Sequence, residues 1–283
     1  MFSYEKFIVN KLKNVLLPYL FLSTLPVVTA LMLSQHHHGN IFLPSGIGTL
    51  KDYIIPAFEY YWSGQIFDAY WYIPFIMMTF LLSPMHMRFI NIRLSFQVAF
   101  ILALSCVSIL MHRPIGNLNV FQSIVYFTPF YLIGILCSMK RVQLQAQLKG
   151  KEKYLFILII SLAVLQTYSG HTGSYHKPAF EFGGFDIMFM QKVLMCIFLM
   201  IFLNRFEKFH HKIIRAISAT SFATFFIHGF IIAGISSIQI DIFRANSWLI
   251  YSLTIASIII FCILIAKTIK YLLPNYSRLI TGY

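Results

Sequence analysis

Polar and apolar positions follow one another along this chain in long blocks, not with the period of two that marks a half-buried strand. Eight apolar runs, at about 15–34, 69–83, 95–111, 121–139, 154–168, 187–203, 217–238 and 247–266, are parted by polar stretches that hold most of the charges. A helix rises about 1.5 Å per residue, so about 20 apolar residues cross the ~30 Å hydrocarbon core of a bilayer. The pattern predicts an all-α fold: a polytopic membrane helix bundle of about eight transmembrane helices, read as one domain over residues 1–283. The first run is too long for the apolar part of a signal peptide and has no small-residue cleavage site, so it counts as a span. Pro18 and Pro26 inside it are tolerable, because neighbouring helices can satisfy the carbonyls a proline frees.

Composition agrees with the pattern. Hydrophobic residues make up 58% of the chain, charged residues 11%, and the mean hydropathy is +0.74, too few charges to clothe a soluble domain of 283 residues. The net charge of +13 raises the question of nucleic acid. The basic residues are dispersed between the apolar runs instead of gathered on one polar face, which excludes a nucleic-acid partner. Their alternation has a different cause. With the N-terminus in the cytoplasm, segments 1–14, 84–94, 140–153, 204–216 and 267–283 carry 17 of the 22 Lys and Arg, and the four outer loops carry one each: Lys51, Arg113, Lys177 and Arg244. That is a positive-inside signal. It predicts both termini cytoplasmic, a multi-pass location in the cytoplasmic (inner or plasma) membrane, and lipids as the immediate partners.

Cys106, Cys137, Cys196 and Cys262 lie in or at the ends of apolar runs, where they act as small hydrophobes, and no CxxC or Cys/His spacing implies a metal. His36, His37 and His38 are consecutive and cannot all aim at one ion from a helix or strand, so no metal site is expected there.

The seventh run carries the chemistry. In Ser218 to Gly234, SATSFATFFIHGFIIAG, the residues Ser218, Ser221, Phe225 and His228 share one helical face. An ionisable side chain at membrane depth is costly and marks a candidate functional site. His228 is therefore the candidate catalytic residue. The serines fit either substrate contact or close packing with a bond back to their own helix. Lys192, in the sixth run, reaches a similar depth from the cytoplasmic end. Two arrangements fit it: it faces a water-filled cavity shared with His228, or it snorkels to the outer interface. Trp71 and Tyr72 open the second run, as lining of a passage or as interfacial anchors.

Ser218-x-x-Ser221-Phe-Ala-Thr-Phe225-Phe-Ile-His228 resembles the S-x-x-S-Y-x-I-Y-L-x-H pattern of acyltransferase family 3, the polytopic enzymes that O-acylate surface and exported glycans. Tyr70-Trp71-Tyr72-Ile73 is similar to that family's H-L-W-F/Y-L. Phe7-Ile8-x-x-Lys11, followed by Pro18-Tyr19, is similar to its F-x-x-R-x-x-R-x-x-x-P-Y. The likeness runs from residue 2 to about 270. Ala69 stands where the family has histidine, Lys11 and Asn14 where it has arginines, and Phe222 and Phe225 where it has tyrosines.

The resemblance implies acyl transfer from a donor such as acetyl-CoA to a hydroxyl of a cell-surface or exported glycan or a lipid-linked sugar. It implies no bound cofactor and no metal. On that basis Ser218, Ser221, Trp71, Tyr72, Lys11 and Lys192 are candidates for substrate or donor binding. The family also places two spans, with an arginine and the histidine taken as its base, ahead of the position of Met1. The chain as given is therefore expected to be inactive alone. Two other readings stay open: a transporter of a small molecule or lipid-linked sugar, and a non-catalytic membrane partner.

Overall fold

The computed structural model describes residues 3–32, 42, 49–171, 173, 175–209, 211–238 and 247–283; the histidine run 36–38 lies outside these. Among the described residues there is no strand, and the helices are α1 (Tyr4–Lys11), α2 (Leu17–Met32), α3 (Leu50–Ser63), α4 (Tyr72–Leu81), α5 (Ser83–Asn91), α6 (Leu94–Met111), α7 (Val120–Met139), α8 (Arg141–Leu148), α9 (Glu152–Tyr168), α10 (Ile187–Asn204), α11 (Lys212–Ser237), α12 (Trp248–Leu272) and α13 (Ser277–Thr281).

Among the described residues, six helical segments are long and apolar enough to cross a membrane: Tyr4–Met32, α6, α7, α10, α11 and α12. The second expected span is instead a pair, α4 and α5, bent by 56° and adding at most a seventh crossing. Pro84, at the start of α5, explains the break, since it cannot donate to the carbonyl one turn back. The fifth expected span is α9, helical as read and 17 residues long, about 25 Å at the helical rise and at the lower limit for a crossing. Among the described residues, six helices, or seven counting the bent pair, are thus long and apolar enough to cross without α9, against about eight expected. Between α1 and α2 the rod widens into a π-turn at Leu12–Leu16. Pro18 follows directly; its ring crowds the carbonyl four residues back, and the wider turn relieves that clash.

By its internal packing the chain separates into two compact units, one made of Met1–Met77 with His210–Tyr283, the other of Met78–Phe209. In the first unit α11 packs on α12 through Ala223 and Ile227 against Ile258, Cys262 and Ala266. α2 packs on α3 through Val27, Ala30, Leu31 and Tyr60. Tyr70 ties these parts together: it is fully buried, its hydroxyl donates to the Phe226 carbonyl at 2.7 Å, and its ring stacks on Phe225. The turn that delivers it needs Gly64, at φ 73°, where a Cβ would lie 2.5 Å from the Tyr70 carbonyl oxygen. Gly229 likewise lets Phe67 close on α11, since a Cβ there would meet the Phe67 ring at 2.9 Å.

In the second unit α6 and α7 run antiparallel, joined at the seam by Ser108, whose hydroxyl donates to the Leu104 and Val125 carbonyls. Phe89, Ile101 and Leu132 form its apolar core. Gln97, buried at the start of α6, donates to the Phe89 carbonyl and fixes the end of α5. α9 and α10 form the other hairpin, with Phe156 against Phe198. At the end that holds α8, Glu152 pairs with Arg205 at 2.7 Å and Arg141 with Glu207 at 3.0 Å. The opposite end is built from the 112–119 connection, residues 175–186 and the first turns of α7 and α10.

Candidate functional site

In the first unit, two of the sequence-derived candidates, His228 and Ser221, bond back to their own helix. His228 is half-buried, with Nδ1 on the Thr224 carbonyl at 3.0 Å, one turn back. Ser221 donates to the Ser218 carbonyl at 2.9 Å, and both serines are exposed. The face of α11 that is buried carries Thr220, Ala223, Phe226, Ile227 and Gly229 instead. Trp71 packs on Phe75, and Tyr72 meets Phe225 edge-on at 6.0 Å while remaining exposed. Lys11 ends α1 with its ammonium 5.4 Å from the Phe7 ring. So Trp71, Tyr72 and the α11 residues share a unit, whereas Lys192 belongs to the other one.

The second unit gathers more chemistry. Asp186 immediately precedes the apolar run of α10 and caps it: Oδ1 accepts the Phe189 amide at 3.0 Å, which satisfies an N–H that the helix itself leaves open. Its Oδ2 accepts the Tyr126 hydroxyl at 2.8 Å. Asp186 is 2% exposed and Tyr126 fully buried. Lys192 lies six residues into α10, about 9 Å down the axis. It turns inward within this unit, its ammonium 5.9 Å from the Tyr126 ring. Arg113 and Asp186 are both near enough for their charges to act on it. Arg113 donates through Nε to Asn117 at 2.6 Å and lies over the Phe127 ring. Two cations and one carboxylate thus meet at a buried end of an otherwise apolar bundle.

His112 completes the group. Among the described residues it and Asn117 are the only non-glycines at positive φ, and they bracket Arg113. At φ 62° and ψ 179° the His112 backbone sits in a region nearly reserved for glycine, which costs about 1–3 kcal/mol. The surroundings hold it there. The buried Gln122 amide donates to the Met111, His112 and Lys177 carbonyls, and the His112 amide donates to Ser108 at 2.9 Å. Its Nδ1 is 3.0 Å from the Leu110 carbonyl. A carbonyl only accepts, so Nδ1 carries the hydrogen and the neutral ring presents Nε2 as a bare acceptor. That Nε2 is buried and has no partner, and the ring packs against Tyr175 at 4.5 Å. Burial holds the His112 pKa below its ordinary 6.5; the Leu110 carbonyl and the Asp186 charge oppose this, and the Lys177 and His171 charges add to it.

His112, Arg113, Tyr126 and Asp186 were not singled out by sequence; only Lys192 was. The one local signal was an aspartate directly ahead of an apolar run, the pattern of a helix cap.

A bundle of apolar helices with a polar group of this kind at one end is a multi-pass membrane protein. Residues 1–267 match the acyltransferase domain that defines acyltransferase family 3, and the chain belongs to that family. No curated protein and no solved structure matches it.

Proposed function

We propose that this chain is an O-acyltransferase of the cytoplasmic membrane, moving an acetyl or similar acyl group from acyl-CoA to a hydroxyl of a surface or exported glycan or a lipid-linked sugar. The observation that supports this reading best is His112: a buried neutral imidazole of fixed tautomer, its Nε2 unpaired, next to Arg113 in the chain and within reach of the Asp186 charge, which also acts on Lys192. With α4–α5 and α9 both read as crossings, the alternation of Lys and Arg in the loops puts this end of the second unit outward, where an exported acceptor would arrive.

The chemistry asks for a base and for positive charge near the carbonyl oxygen. In the proposed step Nε2 of His112 takes the hydroxyl proton as the oxygen attacks the acyl carbon. The C–O bond forms, the C–S bond of the thioester breaks, and the imidazolium returns its proton to the departing thiolate. Lys192 and Arg113 stabilise the charge that develops on the carbonyl oxygen. Asp186, held by Tyr126, balances the two cations and steadies the imidazolium. Acyl-CoA is a substrate here, and no bound cofactor or metal enters.

The test is transfer of label from acetyl-CoA to glycan in membranes carrying the full chain, with His112→Gln and Lys192→Met compared at equal insertion. Both variants should fall well below the parent. Undiminished transfer by either would remove that residue from the reaction. Uptake of a sugar with no acyl transfer would support the transporter reading, to which the bend between α4 and α5 lends itself.

A further inference from the structure

α5 is short, and its sequence, SPMHMRFIN, turns two rows of side chains onto one groove. Leu82, His86 and Phe89 follow one another along one edge at helical spacing, and Met85, Arg88 and Ile92 do the same along the other. Between these edges, and against Phe100 of α6 and Thr128 and Leu132 of α7, lies a cavity of about 300 Å³. That is the lower end of the range for ordinary ligand sites. Gln97 holds α5 in place here by donating to the Phe89 and Ile90 carbonyls.

Most of the wall is hydrocarbon, and three polar side chains interrupt it. His86 is 8% exposed, its ring packs on Tyr131 at 4.6 Å, and its Nδ1 is buried without a partner. A buried ring nitrogen left bare is costly, and in a cavity wall it marks a place where a ligand atom belongs. Arg88 is exposed at the rim and has no ion-pair partner among the described residues. Thr128 has spent its hydroxyl hydrogen on the Ile124 carbonyl at 2.6 Å. So sparse a set cannot grip a sugar or a nucleotide. It suits a hydrocarbon chain that ends in an ester and an anion.

Met85 and Phe100, 62% and 48% exposed, flank the cavity, which therefore opens to the side. From Met139, the last residue of α7, back to Thr128 is about 16 Å at the helical rise, roughly half of the ~30 Å hydrocarbon core. With the N-terminus cytoplasmic and α4–α5 read as a crossing, the corner between α5 and α6 lies on the cytoplasmic side, and Arg88 and Arg93 stand at it. The cavity thus spans the depth of one leaflet, and the leaflet on that side carries anionic lipid. We propose that it seats one acyl chain of an anionic phospholipid of the cytoplasmic leaflet, with the phosphate on Arg88 and an ester carbonyl accepting from Nδ1 of His86. The assignment holds whether or not the chain transfers an acyl group. A free fatty acid offers the same tail and a similar charge, and the experiment separates the two.

The full chain is purified in detergent with equal amounts of phosphatidylglycerol and phosphatidylcholine, and the lipid that stays bound is counted by native mass spectrometry. The parent should retain one phosphatidylglycerol in about fivefold preference over phosphatidylcholine, the usual worth of one arginine at an anionic surface. Arg88→Gln should lose the preference, and Arg88→Lys should keep most of it. Lys267→Gln, which removes a cytoplasmic charge away from the cavity, should match the parent. His86→Phe keeps a ring, removes the donor and should lower retention of both lipids. Because Arg88 is exposed, its variants should melt as the parent does in phosphatidylcholine, so that loss of folding does not mimic loss of binding. The assignment is overturned if Arg88→Gln or His86→Phe retains phosphatidylglycerol as the parent does, or if the parent holds both lipids equally. Palmitate retained in place of phosphatidylglycerol at the same concentration would make this a fatty-acid site and overturn it as well.

Discussion

Two histidines set the halves of this molecule apart. His228 sits inside a regular helix, where Nδ1 can reach the carbonyl one turn back, and that bond is made. His112 sits one residue past the end of α6, where the backbone has left the helical region. There the ring is buried against Tyr175 with one nitrogen tied and the other left bare. The difference lies in what each position offers. A helix interior supplies its own acceptor to any polar side chain that points back along it. A helix C-terminus leaves its last carbonyls open, and one of them, Leu110, takes the His112 Nδ1 hydrogen while Tyr175 from another segment covers the ring, so that Nε2 is buried and left over.

The largest expected effect is on turnover. His112→Gln should lower acyl transfer by about 10²–10⁴-fold, the usual worth of a general base, whereas His228→Gln should stay within about threefold. Labelled-acetyl transfer at matched protein levels measures both, and the opposite ranking would put the base back in the first unit.

Next comes stability. Tyr126→Phe strands the buried Oδ2 of Asp186 without its donor and should cost about 1–3 kcal/mol, seen as a lowered melting temperature in detergent. Ser221→Ala, which removes only a bond to its own helix on an exposed face, should change the melting temperature little.

A smaller effect is the response to pH. Because burial depresses the His112 pKa, the folded chain binds fewer protons than the unfolded chain near and below pH 6.5. Stability should therefore fall as pH drops through 6.5 and on toward the folded-state pKa, below which the full cost is present. Transfer should be flat above that window and decline on its acid side. In His112→Gln this acid limb should vanish from the melting curves. The smallest expected change is for Lys11→Gln, whose ammonium lies over the Phe7 ring on the exposed-to-half-buried first helix; a loss above about 1 kcal/mol in the melt would mean that the helix does more than anchor.

Much of the fold was legible because burial in lipid imposes one rule on every span: long, apolar and helical. That rule located α6, α7, α10, α11 and α12 within a few residues. It was blind to how a span is interrupted. Pro18 and Pro84 were visible as letters, but whether a proline yields a π-turn, as at Leu12–Leu16, or a 56° bend depends on what packs beside it. The site was less legible for a related reason. His112 and Asp186 are 74 positions apart and each reads as an ordinary loop residue; only the Asp186 amide on the Ile109 carbonyl and the Gln122 amide on Lys177 bring their segments together. Tyr126 looked like one more aromatic in an apolar run, and nothing near it in sequence foretold a carboxylate partner.

The hydrogen bond from Tyr70 to the Phe226 carbonyl joins residues 156 positions apart, and the whole second unit, Met78–Phe209, is synthesised between them. At about 5–20 residues per second, the ribosome needs roughly 10–30 s to pass from one to the other. The continuous second unit can finish assembling in that interval, while α2, with α3 packed on it, waits with the Tyr70 hydroxyl lacking its eventual acceptor. The first unit is therefore the last to close, and its early helices are the part of the chain most exposed to quality-control proteases during biogenesis.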